Sequence, residues 1–301
     1  MAKHLNVEIG QNLRQDRWVG ADFWAQAVDE TLTLDTLLKR SEVVIVGIDG
    51  GGLDDLLGLA VLGRERTTSR WLLWGHAYAH ISVLRRRKSI ASALIDFAKT
   101  GDLEIFDAFG PLDPGALADA IDKPDRPAPC PEAPRSGLEG QPHDDIQDGA
   151  TLPPDVRALV ALVEKVMATG LLAEVDMDPA GVGLIAEGLR TIGVLDSRDE
   201  AAIVPLWGVS QGWTLNGAIK TAERKLADGT LLHADQALMS FAVGNARTAP
   251  AGNATLITKA VSGTAKIDPL MAALSAIARM TKNPEPAGSV YSADRGLRSF
   301  G

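Results

Sequence analysis

Three aspartates sit where a strand should end or a helix begin. Asp49 follows the apolar run Val43-Val44-Ile45-Val46 and precedes Gly50-Gly51-Gly52 in EVVIVGIDGGGLDDLLGLAVLGRE. Asp178 closes LLAEVDMD before Pro179, and Asp268 stands in AKIDPLMAAL before Pro269. In an α/β sheet, strand ends and helix starts along one edge converge on a crevice. Carboxylates meeting there can hold two divalent ions about 3.5–4 Å apart, which activate a water and stabilise the leaving oxygen in phosphodiester cleavage. Oxygen-only ligands suit Mg²⁺ or Mn²⁺. The glycines leave a second chemistry open, in which they wrap a nucleotide phosphate while Asp49 holds its metal. Each aspartate also has a structural use. Asp178-Pro179 and Asp268-Pro269 both read as an N-cap followed by proline in the first helical position. Asp49 before three glycines reads equally as a turn residue.

Other polar residues are weaker candidates. Asp55 is either a further metal ligand or part of a solvated turn. Arg85, Arg86, Arg87 and Lys88 follow a predicted strand and would either grip DNA phosphates or form a solvated basic turn. Lys259 and Lys266 flank the Asp268 motif, and Lys266 is placed to contact a scissile phosphate unless it is simply exposed. His76 and His80 have a spacing that suits zinc on a helix, but on a strand they lie too far apart for one ion. His233 reads as structural.

Those residues need elements to carry them. Residues 43–49, 56–63 and 70–78 read as three strands with short polar connections, an antiparallel meander. SIASALIDFAKTG has helical spacing and a glycine stop at Gly101. PPDVRALVALVEKVMATG, PAGVGLIAEGLRTIG, NGAIKTAERKLADGTL and DPLMAALSAIARMTK follow as helices, with strands predicted over LLAEVDMD and AAIVPLWGV. A meander followed by strand–helix alternation describes an α/β fold with a mixed sheet flanked by helices, as in the RNase H-like group.

The 301 residues are 46% hydrophobic and 23% charged, an ordinary soluble balance. The single cysteine, Cys130, excludes an internal disulfide and a cysteine-based zinc site. The net charge of −9 argues against a nucleic-acid partner only until its distribution is considered. Residues 102–155 hold 13 Asp or Glu against Lys123, Arg126 and Arg135, which leaves the rest of the chain near neutrality. Ten of the sixteen prolines fall in 111–154, so 122–151 reads as an acidic, proline-rich insertion.

HLNVEIG, GIDGGGLDDLLGLAVLG, DMDPAGVGLIAEGLRTIG, SQGWTLNGAIKTAERKLADGTLLHADQ, AVGNA and ITKAVSGTAKIDPLMAAL occur here in one order. Together they resemble the C-terminal nuclease half of tailed-phage terminase large subunits, over most of residues 4–280. The resemblance implies an RNase H-like nuclease domain over 41–281, a lead-in over 1–40 that is the tail of a missing ATPase region, and a flexible tail over 282–301. It implies a metal-dependent endonuclease that cuts concatemeric double-stranded DNA during capsid filling. By motif position its two-metal site maps to Asp49, Asp178 and Asp268. It also implies Mg²⁺ or Mn²⁺ as cofactor, portal or procapsid and a small terminase subunit as partners, and the host cytoplasm as location. Two rivals remain. GIDGGG resembles the first phosphate loop of actin-like and sugar-kinase ATPases, although Leu53 and Asp54 stand where a Ser or Thr is expected. A non-catalytic docking module for portal or capsid is the other. No G-x-x-x-x-G-K-[ST] phosphate loop is present.

Overall fold

A computed structural model of the chain describes residues 16–121, 152–178, 183–209, 212–252, 254–257 and 266–285. The predicted insertion 122–151, Lys259 and most of the predicted tail lie outside these residues.

The meander forms as predicted. Strands β2 (Ser41–Gly50), β3 (Leu57–Glu65) and β4 (Trp71–His80) pair antiparallel. On one side β6 (Leu172–Met177) joins parallel to β2, β8 (Val204–Gly208) parallel to β6, and β7 (Val194–Asp196) parallel to β8. On the other, β9 (Leu231–Ala234) runs parallel to the start of β4 and β5 (Leu103–Phe106) parallel to its end, while β1 (Val28–Asp29) extends β9. The nine-stranded mixed sheet has the order β1-β9-β4-β3-β2-β6-β8-β7, with β5 beside β4. A separate hairpin pairs β10 (Thr248–Ala251) with β11 (Ala254–Ile257).

The helices are α1 (Ala21–Trp24), α2 (Leu34–Arg40), α3 (Ser82–Arg86), α4 (Ala91–Thr100), α5 (Leu117–Ala120), α6 (Pro154–Met167), α7 (Gly183–Thr191), α8 (Asn216–Ala227), α9 (Ala237–Asn245) and α10 (Asp268–Met280). Their faces follow from apolar spacing. Helix α6 buries Val156, Leu159, Val160, Val163 and Val166, one stripe at helical period. Helix α10 is apolar nearly all round and is buried accordingly, from Pro269 to Ile277.

The sheet separates two apolar layers. Val43 and Ile45 of β2, with Ala60 and Leu62 of β3, pack with Leu270, Met271, Leu274 and Ile277 of α10. The alternate residues Val44, Val46, Ile48, Leu57, Leu59 and Val61 pack with α6 and α7 through Leu159, Val163 and Ile185. Each such side chain stabilises the fold by roughly 1.5–3 kcal/mol when fully buried.

The expected lead-in is part of this domain where it is described. Trp18 and Trp24 are core residues. The Trp24 ring stacks on His233 at 3.6 Å between centroids, and its Nε1 donates to Ser240 Oγ at 3.1 Å. Strand β1 then adds to the sheet. His233 is structural as expected, with its two ring nitrogens 2.8 Å from the carbonyls of Trp24 and Ala234. No helix among the described residues is long and apolar enough to cross a membrane.

Candidate active site

Strands β2, β4, β5, β6 and β8 all run the same way, so their C-terminal ends share one edge of the sheet. Asp49 is the penultimate residue of β2, is 3% exposed, and lies on the α10 side by alternation with Val43, Ile45 and Gly47. The helix is drawn onto that side by missing side chains. A Cβ on Gly47 would lie 2.0 Å from the Ala272 carbonyl oxygen, and one on Gly58 only 2.7 Å from the Asp268 carbonyl carbon. Gly58 is the cross-strand partner of Asp49. Gly50 has φ +89° and would place a Cβ 3.4 Å from Asp268 Oδ1. Asp268, 0% exposed, therefore sits over the tip of the β2–β3 hairpin, beside Asp49.

The capping reading of Asp268 does not hold. The N-cap position is taken by Ile267, and Asp268 is already inside the helix with Pro269 behind it. Helix α7 is described from Gly183 onward, and the proline after Asp178 lies outside the described residues. The register Ile48↔Met177 puts Asp178 one step further along, level with Asp49, and half-buried. Asp176, level with Gly47, is fully buried and two residues deeper. Its Oδ1 accepts the Val209 N–H at 3.1 Å, and burial pushes its carboxyl up to about 7, against a downward pull from Arg279. Arg279 itself pairs with Glu174 at 2.5 Å and lies over the Trp207 ring.

The loop 51–56 is latched from two sides. Lys266, expected at a phosphate, is buried, and its Nζ meets Asp55 Oδ1 at 2.5 Å. This contact engages Asp55, the candidate fourth ligand, and turns both residues toward holding the loop. Arg87 reaches Asp54 Oδ2 at 3.2 Å and the Asp54 carbonyl at 3.3 Å. Arg85 and Arg86 belong to the last turn of α3 at the end of β4, on the same edge. Arg86 and Lys88 are exposed, whereas Arg85 and Arg87 are half-buried. His76 and His80 go separate ways, to Glu104 Oε1 at 3.2 Å and to Ser82 Oγ at 2.8 Å.

Among the described residues no group of three or more His, Cys, Asp or Glu stands in metal-holding geometry. The donor chemistry at the edge nevertheless fits a hard divalent cation. Asp49 and Asp268 offer carboxylate oxygens from adjoining buried positions, and Asp178 offers a third from the neighbouring strand tip. Like charges buried together are costly, and a divalent cation between them would relieve that cost.

The chain superposes on the crystal structure of the HK97 bacteriophage large terminase with a TM-score of 0.57, over 87% of this chain and 43% of that one. It shares the fold of part of a large terminase. Sequence identity over that match is 15%, and the chain spans less than half the length of the HK97 protein. The large terminase nuclease from thermophilic phage G20c also matches, at 11% identity and a TM-score of 0.43, over 86% of this chain and 97% of that one. The nuclease domain of the SPP1 large terminase, solved with Mn bound, matches at 10% identity and 0.38, over 84% and 95%. The HK97 superposition is the one that establishes the terminase fold. No protein-family model matches the sequence, and no curated protein matches it.

Proposed function

We propose that the chain is the endonuclease domain of a phage DNA-packaging terminase and cuts double-stranded DNA with the help of divalent metal. The observation that carries this reading is the meeting of Asp49 and Asp268 at a glycine-bared strand tip, with Asp178 on the next strand. These three residues would hold Mg²⁺ or Mn²⁺. Bound there, the ions would supply an activated water and stabilise the leaving oxygen. The protein's own part is placement. Backbone contact between β2 and α10 fixes two carboxylates, and the Lys266–Asp55 pair steadies the loop beside them. Exposed Arg86 and Lys88 on the same edge would hold DNA phosphates. Portal and small terminase subunit are the partners that go with this reading.

The test is a plasmid incubated with purified protein and Mn²⁺, with and without chelator. Nicking or linearisation that Asp49→Asn abolishes is the expected outcome. Intact plasmid across a wide range of protein and metal concentrations would refute the reading, as would DNA-stimulated ATP turnover by the isolated chain.

A further inference from the structure

The large apolar side chains left exposed among the described residues are few: Val19, Leu53, Phe109, Leu184, Ile203 and Trp213. Three of them follow strands that end on the edge carrying the carboxylates. Leu53, 61% exposed, follows the end of β2; Leu184, 50% exposed, opens α7 after β6; Trp213, 75% exposed, follows the end of β8. Strands β2, β6 and β8 are consecutive parallel neighbours, so these residues follow strand ends on one edge. The loop after β2 packs on the start of α7, since a Cβ on Gly51 would touch Ile185 Cδ1 at 3.2 Å, and the Leu53 carbonyl accepts from Ser82 Oγ just past the end of β4. Trp213 stands in a short turn that lies against α10.

Exposed apolar groups have nothing to gain from phosphates. They gain from the sugar and base edges of a groove, or from an opened base step. Asp49 and Asp268 are recessed, at 3% and 0% exposure, while these three side chains are open to solvent. Asp49 is recessed, so a phosphate on the smooth path of a straight duplex would have to be lowered to reach it. Exposed Arg86 and Lys88, two strands away on the same edge, supply the charge that draws a duplex onto it.

We propose that Leu53, Leu184 and Trp213 form an apolar rim that wedges into the groove of duplex DNA and unstacks the step to be cut, lowering its phosphate to the carboxylates. This proposal rests on the nuclease reading above. It assigns the three residues a positioning role that charge or metal binding would not give them.

The experiment compares short duplexes that are fully paired with the same duplexes carrying a three-base mismatch bubble, in Mn²⁺. Trp213→Ala and the double variant Leu53→Ala/Leu184→Ala should lose at least about tenfold in kcat/KM on paired DNA and stay within about twofold of wild type on the bubble, where the unstacking is already done. Ile203→Ala, an equally exposed residue at the start of β8 and hence at the opposite edge, should match wild type on both. In chelator, 2-aminopurine in the paired duplex should brighten on binding wild type and not on binding Trp213→Ala. Wild-type rates on paired DNA from both variants would overturn the proposal. So would equal losses on paired and bubble substrates, which would mark a contact unrelated to unstacking. If wild type cuts neither substrate, the nuclease reading itself falls, a result distinct from wild type cutting both while the variants cut like it.

Discussion

The two faces of β2 come from alternate residues of one strand, yet they are stabilised by opposite means. Toward α6 and α7 the strand presents Val44, Val46 and Ile48, each fully buried, and stability there comes from side-chain volume. Toward α10 it presents Val43 and Ile45, then the bare Gly47, then Asp49, so apolar bulk gives way to backbone just before the crevice. Helix backbone meets strand backbone at Gly47, and stability there comes from close approach. The lesson is that a pair of buried carboxylates is held by the apolar residues behind it. The grip lies one turn down the helix, at Ala272 and Ala276, and Asp268 is carried along.

The largest test of that contrast changes one side chain on each face. Asp49→Asn, Asp178→Asn and Asp268→Asn should each lower cleavage at saturating Mn²⁺ by at least about a hundredfold, with the fold intact by circular dichroism. Val46→Ala should keep cleavage near wild type while losing roughly 2 kcal/mol in urea unfolding. Should Val46→Ala be as inactive as Asp49→Asn, the two faces would not be separable.

Gly47→Ala sharpens the point, because it adds only one methyl. That methyl would press on the Ala272 carbonyl, backbone that cannot turn aside, at a cost of at least about 3 kcal/mol. Displacing α10 also displaces Asp268, so activity should fall even at temperatures where the variant is fully folded. Gly47→Ala with wild-type Mn²⁺-dependent cleavage would show that the helix contact does not position the site.

Asp176 shares the α10 face and should respond to pH. Its carboxyl is raised by burial from 3.8 to about 7. The unfolded chain therefore releases this proton first, and the native state loses stability as pH rises from near 4 through about 7. Asp176→Asn removes that loss. Relative to wild type, it should gain on the order of 2 kcal/mol between pH about 5.5 and pH about 8, read from denaturant midpoints. A pH-independent difference would mean that Asp176 is already ionised at neutral pH.

The smallest effect belongs at the rim. The Arg87–Asp54 pair is partly open to water, so Arg87→Ala should change stability by less than about 1 kcal/mol, and less still in high salt. A larger loss would show that the loop depends on this bridge more than on the buried Lys266–Asp55 contact.

Much of the scaffold was readable before any coordinates. The meander was legible because Val43–Ile48 is continuously apolar and the connections are short and polar. Helix α6 was legible because its apolar residues recur at helical spacing between prolines and Gly170, and α10 because a long apolar run follows Asp268-Pro269. Strands β5 and β9, four residues each, are too short to show a period, and β1 is shorter still. The β10–β11 hairpin carried a usable signal in Gly252-Asn253, with Gly252 at φ +60°, but Thr248–Ala251 has one β-branched residue and a proline, a weak strand signal. At the site, strand order and spacing put Asp49, Asp178 and Asp268 on one edge. The engagement of Lys266 by Asp55 was not legible, since nothing local links residues 211 positions apart. Nor was the role of Gly47 and Gly58, which appear in sequence as gaps in an apolar run and matter only once a helix lies on them.

The strap formed by residues 16–29 bears on where this domain can be cut free. Trp24 closes one end of the α10-side core by stacking on His233, and Trp18 Nε1 reaches Glu223 Oε1 at 3.1 Å on α8. Trimming the chain to begin at Ser41 would bare that end of the core and leave β9, stripped of β1, as an unpaired edge strand with Leu231 beneath it. Such an edge recruits other chains. A preparation shortened in this way should collect as oligomers on a sizing column, whereas one that keeps residue 16 onward has its edge capped by its own backbone.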